Sequence, residues 1–277
     1  MNNVKRIIHY LRETYFNRIS HDLMLAINPP QATLVSFLGC GAQKSGTTAL
    51  DSYLRQHPGI CLPSRKEIHY FDNDYNFRYP KPNYKKYHSF FDFQAKHIIA
   101  GEVTPSYMYR HNAIRRIWEY NPNMKVVILL RNPIERAYSH WNMNRSRGFE
   151  DQPFLEAIRL EEERRYKALP NQNKRFSYID RGFYTEQIRN VYEYFPRDQV
   201  FLQKSSVFSE DPAAVIGEIF QFLSITPSPI QIKNNIFSGS YARPMSSEEK
   251  DLLLDIYEFE IKSLERLTGW DCSEWLN

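Results

Sequence analysis

The chain is poor in cysteine and glycine, carries no histidine beyond His140 and contains no long apolar run. Its three cysteines, Cys40, Cys61 and Cys272, are an odd number without CxxC spacing, which excludes a disulfide framework. The eight histidines show no zinc-like clustering, so no structural metal is expected, and Cys40 and Cys61 read as small buried residues. No apolar stretch approaches the ~20 residues of a membrane span. The N-terminus lacks the apolar core and cleavage site of a secretory signal. These absences point to a protein of a reducing compartment, the cytoplasm. Charge is also modest: 36 Lys and Arg against 32 Asp and Glu give +4, which suits a protein that holds small anions and excludes a dedicated nucleic-acid binder. With 42% hydrophobic and 25% charged residues the chain can bury a core and is not disordered.

In the first thirty residues Val4, Ile7, Ile8, Leu11 and Tyr15 recur at helical spacing, and Lys5, Arg6, His9, Arg12 and Arg18 take the other faces. A helix packed on the body of the protein is expected. The alternative is a basic helix lying on an acidic partner or at the periphery of a membrane. Asn28-Pro29-Pro30 breaks any helix, dividing a helical extension (1–30) from a single domain (31–277).

From there strands and helices alternate. Thr33–Leu38 is a short β-branched and apolar run, followed by a glycine-rich turn and a helical stretch from Thr47 to Gln56. Ile98–Ala100 is a weaker strand, and Tyr107–Tyr120 reads as helix. Lys125–Leu130 (KVVILL) is the clearest buried strand, with a helix over Pro133–Asn144. Val200–Gln203 is a further strand, and Pro212–Leu223 and Ser246–Leu267 are helical. Ser246 with Glu249 three residues on forms a capping-box pattern. Alternation with continuous apolar strands predicts an α/β fold with a central parallel sheet covered by helices on both faces, a three-layer arrangement.

Three of the ten glycines fall within Gly39–Gly46, between the first strand and the first helix. A turn of this kind directs backbone N–H groups and the positive end of a helix at one point, which makes an anion site. Lys44 adds a charge, and Ser45, Thr47 and Thr48 add hydroxyl donors. The spacing is not the nucleoside-triphosphatase pattern G-x-x-x-x-G-K-[ST], because Gln43 precedes Lys44 and Gly46 follows Ser45. A magnesium-dependent phosphotransferase also needs a carboxylate near the end of the next buried strand. Here KVVILL runs into Arg131-Asn132-Pro133, and an arginine repels Mg²⁺ and attracts a second phosphate. Ser139, two turns into the following helix, is placed to add a hydroxyl. The expectation is a nucleotide with two separated anionic groups and no metal.

The segments GAQKSGTTAL (41–50), KEIHYFD (66–72), GEVTPSYMY (101–109) and LRNPIERAYSHW (130–141) resemble the sulfotransferases that use 3′-phosphoadenosine 5′-phosphosulfate. They are most similar to the carbohydrate-type branch that includes heparan sulfate sulfotransferases and many bacterial relatives. The likeness extends through RGFYTEQI (181–188) and FPRDQVFLQKSSVF (195–208) to the C-terminus. It implies a P-loop-like fold, 3′-phosphoadenosine 5′-phosphosulfate as co-substrate and sulfuryl transfer without a metal to a hydroxyl acceptor, a glycan, glycolipid or other small molecule. The 5′-phosphosulfate is then expected on the loop of Gln43, Lys44, Ser45, Gly46, Thr47 and Thr48, with Lys44 neutralising the leaving phosphate. The 3′-phosphate is expected at Arg131 and Ser139, and the looser late-loop match adds Ser240 and Arg243. The matching glutamate carries the base role in the resembling branch, so Glu67 is the first candidate base. His69 is the second, with an unperturbed pKa near 6.5; on an extended segment the two would point to one side. Val103 departs from the branch, which commonly carries a lysine there. Glu102 is expected either to line the cleft or to cap the Pro105–Tyr107 turn. Arg136, Arg145 and Arg147 read as a solvated face, Arg145 and Arg147 alternatively meeting an anionic acceptor. Acceptor contacts are expected from loops 70–95 and 145–180. A kinase with an atypical loop is the alternative enzyme, and a non-catalytic nucleotide-binding scaffold is a third reading.

Overall fold

The computed structural model describes residues 34–233, 241 and 243–276. The N-terminal extension and Ser240 therefore lie outside the described residues. Five strands, β1 (Phe37–Gly41), β2 (Ile60–Cys61), β3 (Ile99–Val103), β4 (Lys125–Leu130) and β5 (Val200–Lys204), form one sheet in the order β2-β3-β1-β4-β5. All four pairings are parallel, with Phe37 opposite both Gly101 and Lys125. In chain order the helices are α1 (Thr47–Leu54), α2 (Tyr84–His88), α3 (His111–Tyr120), α4 (Pro133–Ser146), α5 (Phe154–Arg159), α6 (Glu161–Ala168), α7 (Tyr184–Tyr194), α8 (Ser205–Glu210), α9 (Pro212–Phe222) and α10 (Ser247–Thr268). Among the described residues no helix is long and apolar enough to cross a membrane.

Successive strand residues point to opposite faces, and β4 shows the consequence. Val126, Ile128 and Leu130 enter one apolar cluster with Ala113 and Ile117 of α3, Ile134 and Ala137 of α4, Ile188 of α7 and Leu253 and Ile261 of α10. Val127 and Leu129 enter the other, with Leu50 and Leu54 of α1 and Val215 and Ile219 of α9. Burying each large aliphatic side chain contributes roughly 1.5–3 kcal/mol, so both faces must be covered for the sheet to persist. The expected three-layer α/β architecture is the one found. The capping box at Ser246 and Glu249 is formed, and Gly269 ends α10 in the left-handed conformation.

The topology places a site. The connection after β1 runs toward β2, whereas the one after β4 runs toward β5. The helices that follow, α1 and α4, lie on opposite faces. The crevice above the carboxyl ends of β1 and β4 is thus the switch point at which open parallel sheets receive ligands.

One boundary differs from the sequence reading. The first strand is Phe37–Gly41 rather than Thr33–Leu38, so Gly39 and Gly41 lie in the strand and not in the turn. A Cβ at Gly41 would sit 1.9 Å from Met108 Sδ, so this glycine serves packing between β1 and the segment after β3.

Candidate active site

The loop after β1 is tied to both neighbouring segments. Ala42 N donates to Leu129 O at 2.6 Å, and Met108 N donates to Cys40 O at 3.0 Å. Within it Lys44 (φ 73°) and Gly46 (φ 89°) are both left-handed. For lysine that conformation costs on the order of 1–3 kcal/mol, which the flanking bonds must hold. Gly46 is the N-cap of α1 and provides no side-chain cap, so the first N–H groups of the helix face the cleft with the positive end of its dipole. Burial lowers the Lys44 pKa, and the Arg147 and Arg131 charges lower it further. Gln43 Oε1 is buried with no hydrogen-bond partner among the described residues. Ser45 departs from its expected role: it is buried under the loop, its N–H donating to Ala42 O, and does not line the cleft.

Beside this loop, the end of β4 carries the second cation. Asn132 caps α4 by accepting from Ile134 N at 3.0 Å, and Pro133 begins the helix. Tyr184 O–H donates to Arg131 O at 2.9 Å, fixing the backbone at that point. The Arg131 guanidinium donates through Nε (2.9 Å) and Nη2 (2.8 Å) to Glu135 Oε2. Ser139, Met143 and Arg147 of this region line the same cleft.

Across the loop from Arg131, the chain after β2 carries the candidate proton acceptors. It is not extended: Glu67 (φ 59°) and His69 (φ 56°) are both left-handed, while Ile68 and Tyr70 between and after them are buried. The two side chains still meet, His69 Nε2 lying 3.6 Å from Glu67 Oε2. His69 Nδ1 is 2.8 Å from Asp72 Oδ2, which also accepts from Ser106 Oγ at 2.6 Å. On the other oxygen, Glu67 Oε1 accepts from Lys66 Nζ at 2.6 Å. Burial tends to raise the Glu67 pKa, but the bonds from His69 and Lys66 outweigh it and hold it at about 2. Burial tends to lower that of His69, but bonding to Asp72 and Glu67 raises it to about 9. At neutral pH the pair is therefore carboxylate and imidazolium. Glu67 is thus ionised and open to a proton, but its low pKa makes it a weak base in this resting arrangement, and His69 already carries its proton.

A cleft of about 780 Å³ brings together Gln43, Lys44, Gly46, Thr47, Thr48, Glu67, Arg131 and Ser139. That volume falls in the range of small-molecule and cofactor sites. His69 does not line it; its side chain is 47% exposed and touches the Glu67 carboxylate. Arg243 is also elsewhere, pairing with Glu249 and so with the cap of α10. Arg136 is not on a solvated face: it is 0% exposed and donates to Tyr178 O. Arg145 donates to Asp151 O, whereas Arg147 reaches the cleft. Glu102 is buried and accepts from Tyr87 O–H (2.9 Å), Tyr107 O–H (2.9 Å) and Thr104 Oγ1 (2.7 Å), which makes it a structural hub. His140 and Trp141 are buried packing residues, and burial pushes the His140 pKa well down. The sequence reading assigned no role to Asp72, Ser106, Lys66 or Glu135. Asp72 lay three residues from His69 inside a quoted motif, whereas Ser106 is brought in only by the β3 turn.

An α/β sheet whose switch point gathers cations and helix N–H groups, with an ionised carboxylate across the loop, is chemically suited to anionic groups beside a proton acceptor. Comparison with known proteins narrows this: the sulfotransferase domain matches residues 36–252, and the chain belongs to that family. The membrane-associated sulfotransferase kil1 of Dictyostelium discoideum is 35% identical over 113 residues, 40% of this chain and 23% of the relative. Human heparan sulfate glucosamine 3-O-sulfotransferase 6 is 29% identical over 204 residues, 73% of this chain and 56% of the relative. The chain thus spans between about a quarter and about half of the length of these two proteins. The crystal structure of a sulfotransferase from Alicyclobacillus acidocaldarius superposes with a TM-score of 0.76 at 26% identity, covering 89% of this chain and all of that one. The family membership supports the sulfotransferase reading over the kinase alternative.

Proposed function

We propose that the protein transfers a sulfuryl group from 3′-phosphoadenosine 5′-phosphosulfate to a hydroxyl of a glycan or glycolipid. The observation that carries this reading is the placement of Lys44 and Arg131 at the ends of adjacent parallel strands in one cleft, with Glu67 across the loop. The residues present fit such a donor: cations for two anionic groups and the unblocked start of α1. Lys44, with the N–H groups of Gly46 and Thr47 and the hydroxyls of Thr47 and Thr48, would hold the 5′ group. Arg131 and Ser139 would hold the 3′ phosphate, and Glu135 would keep the guanidinium in place.

Glu67 takes the proton of the acceptor hydroxyl as its oxygen bonds to sulfur. The bond from sulfur to the bridging oxygen breaks at the same time, and the electron pair leaves with the phosphate, where Lys44 meets the developing charge. His69, held by Asp72 and Ser106, orients Glu67 rather than taking the proton itself. The glycan acceptor is supported by the likeness to a glucosamine 3-O-sulfotransferase. Incubation with labelled donor and a panel of hydroxylated sugars in EDTA tests the reading. Label transfer to a sugar hydroxyl is expected, and transfer that requires a divalent metal contradicts it.

A further inference from the structure

A base that is to take a proton needs a free oxygen, and both oxygens of Glu67 face cations. Oε1 accepts from Lys66 Nζ at 2.6 Å, and Oε2 lies 3.6 Å from His69 Nε2. The two cations are held differently. His69 is fixed from behind, its Nδ1 standing 2.8 Å from Asp72 Oδ2, which in turn accepts from Ser106 Oγ at 2.6 Å. Lys66 has no such anchor: among the described residues the Glu67 carboxylate is the one hydrogen-bond partner of its side chain. Its stem of four carbons is flexible, its side chain is 22% exposed, and it lines the cleft together with Lys44 and Thr47. The charges of Lys66 and Glu67 both act on the Lys44 ammonium, so the three head groups are close enough to share one ligand. Of the two cations on the base, Lys66 is the one free to leave.

We propose that Lys66 is a further catalytic cation that changes partners: bonded to Glu67 in this structure, it passes to the sulfuryl oxygens when the donor binds and so frees Glu67 Oε1 for the acceptor hydroxyl. The inference rests on the donor proposed above. With the 5′ phosphate on the β1 loop and the 3′ phosphate at Arg131 and Ser139, the sulfuryl group is the one anionic part of the donor left for the Glu67 end of the cleft. It lies between the leaving phosphate and the oxygen that Glu67 deprotonates, which is beside Lys66. Exchanging one charge-assisted contact for another of the same kind costs little. Lys66 keeps its protons throughout. The proton that moves is the acceptor's, to Glu67, and the bonds exchanged at sulfur are those already described. While Lys66 stays on Glu67 the carboxylate is a poor base, because a hydrogen bond to the charged form favours that form. Proton abstraction is thereby coupled to the presence of the group to be transferred.

Crystal structures of the wild-type protein with adenosine 3′,5′-bisphosphate and with the intact donor, both without acceptor, test the exchange directly. With the bisphosphate, which has no sulfuryl group, Lys66 Nζ should stay on Glu67. With the donor it should stand within hydrogen-bond distance of a sulfuryl oxygen, leaving Glu67 Oε1 free. Lys66 still on Glu67 with the sulfuryl group in place overturns the proposal. Kinetics and calorimetry give an independent reading. Lys66→Met should lower kcat about ten- to hundredfold, the range for one charge-assisted contact, with acceptor KM unchanged. Its affinity for the donor should fall about tenfold while that for the bisphosphate stays within about threefold, and Lys66→Arg should recover most of the kcat. Equal losses of affinity for the two nucleotides, or a kcat in folded Lys66→Met within about twofold of wild type, also overturn it. Should the wild-type protein bind neither nucleotide, the donor assignment itself falls, an outcome distinct from a donor that binds without moving Lys66.

Discussion

The loops after β1 and β2 solve different problems with different materials. On the proposed function the β1 loop takes anions through backbone: a left-handed Lys44 and Gly46, a helix start without a side-chain cap, and ties to Leu129 and Cys40. On the same proposal the β2 side takes a proton through side chains: Lys66, Glu67, His69, Asp72 and Ser106 form one hydrogen-bonded and ionic chain. An anion site of N–H groups is insensitive to titration and is specified by a few contiguous residues. A proton acceptor must be tuned by neighbours, and those come from separate segments.

If the two sides are separable, substitutions should split binding from turnover. The largest effect is expected for Glu67→Gln, which should lower kcat by about 10²–10⁴ while leaving calorimetric affinity for the donor product nearly unchanged. Comparable losses in affinity would break the separation. Lys44→Ala should cost about 10²–10³ in kcat, the scale of one preorganised donor. Because Lys44 sits between the two sides, it should also weaken donor binding. Arg131→Ala should do the reverse of Glu67→Gln: donor affinity falls about ten- to hundredfold, the size of a charge-assisted phosphate pair, and acceptor KM stays within twofold.

The smallest effect sharpens the comparison through pH. His69 is held protonated up to about 9, so the bonds its charged form makes are intact below its ordinary value near 6.5 and are lost as pH rises through about 9. Activity should therefore decline on the alkaline side with a midpoint near 9, and His69→Gln, slower overall, should lack that limb. Glu67, with its pKa held at about 2, is ionised across the working range and should produce no acid limb above pH ~4. A limb near 9 surviving in His69→Gln would assign it to another group.

The same contrast explains how much could be read in the sequence. KVVILL and the helix after Asn132-Pro133 were legible because a doubly buried strand is continuously apolar and the helix start carries its own cap. That Lys44, Thr47, Thr48, Arg131 and Ser139 would share one cleft was legible for a related reason: residues at the ends of adjacent strands lie in short contiguous motifs. The strand of Gly39 and Gly41 was misread as turn, because what these glycines answer to is the approach of Val103 and Met108 from other segments. Arg136 looked solvated because a charged residue on a helix usually is, and only the packing of α4 against Tyr178 reveals otherwise. The left-handed backbone at Glu67 and His69 left no local signal. Neither did the recruitment of Ser106. Each depends on a contact between segments that the chain order separates.

Gripping two oxyanions of one adenylate with arginine and lysine is the claim on which the account stands. Calorimetry in EDTA comparing adenosine 3′,5′-bisphosphate with adenosine 5′-monophosphate tests it most directly. The bisphosphate should bind about a hundredfold more tightly, with that advantage abolished in Arg131→Ala. Equal affinities for the two nucleotides in the wild-type protein would contradict it.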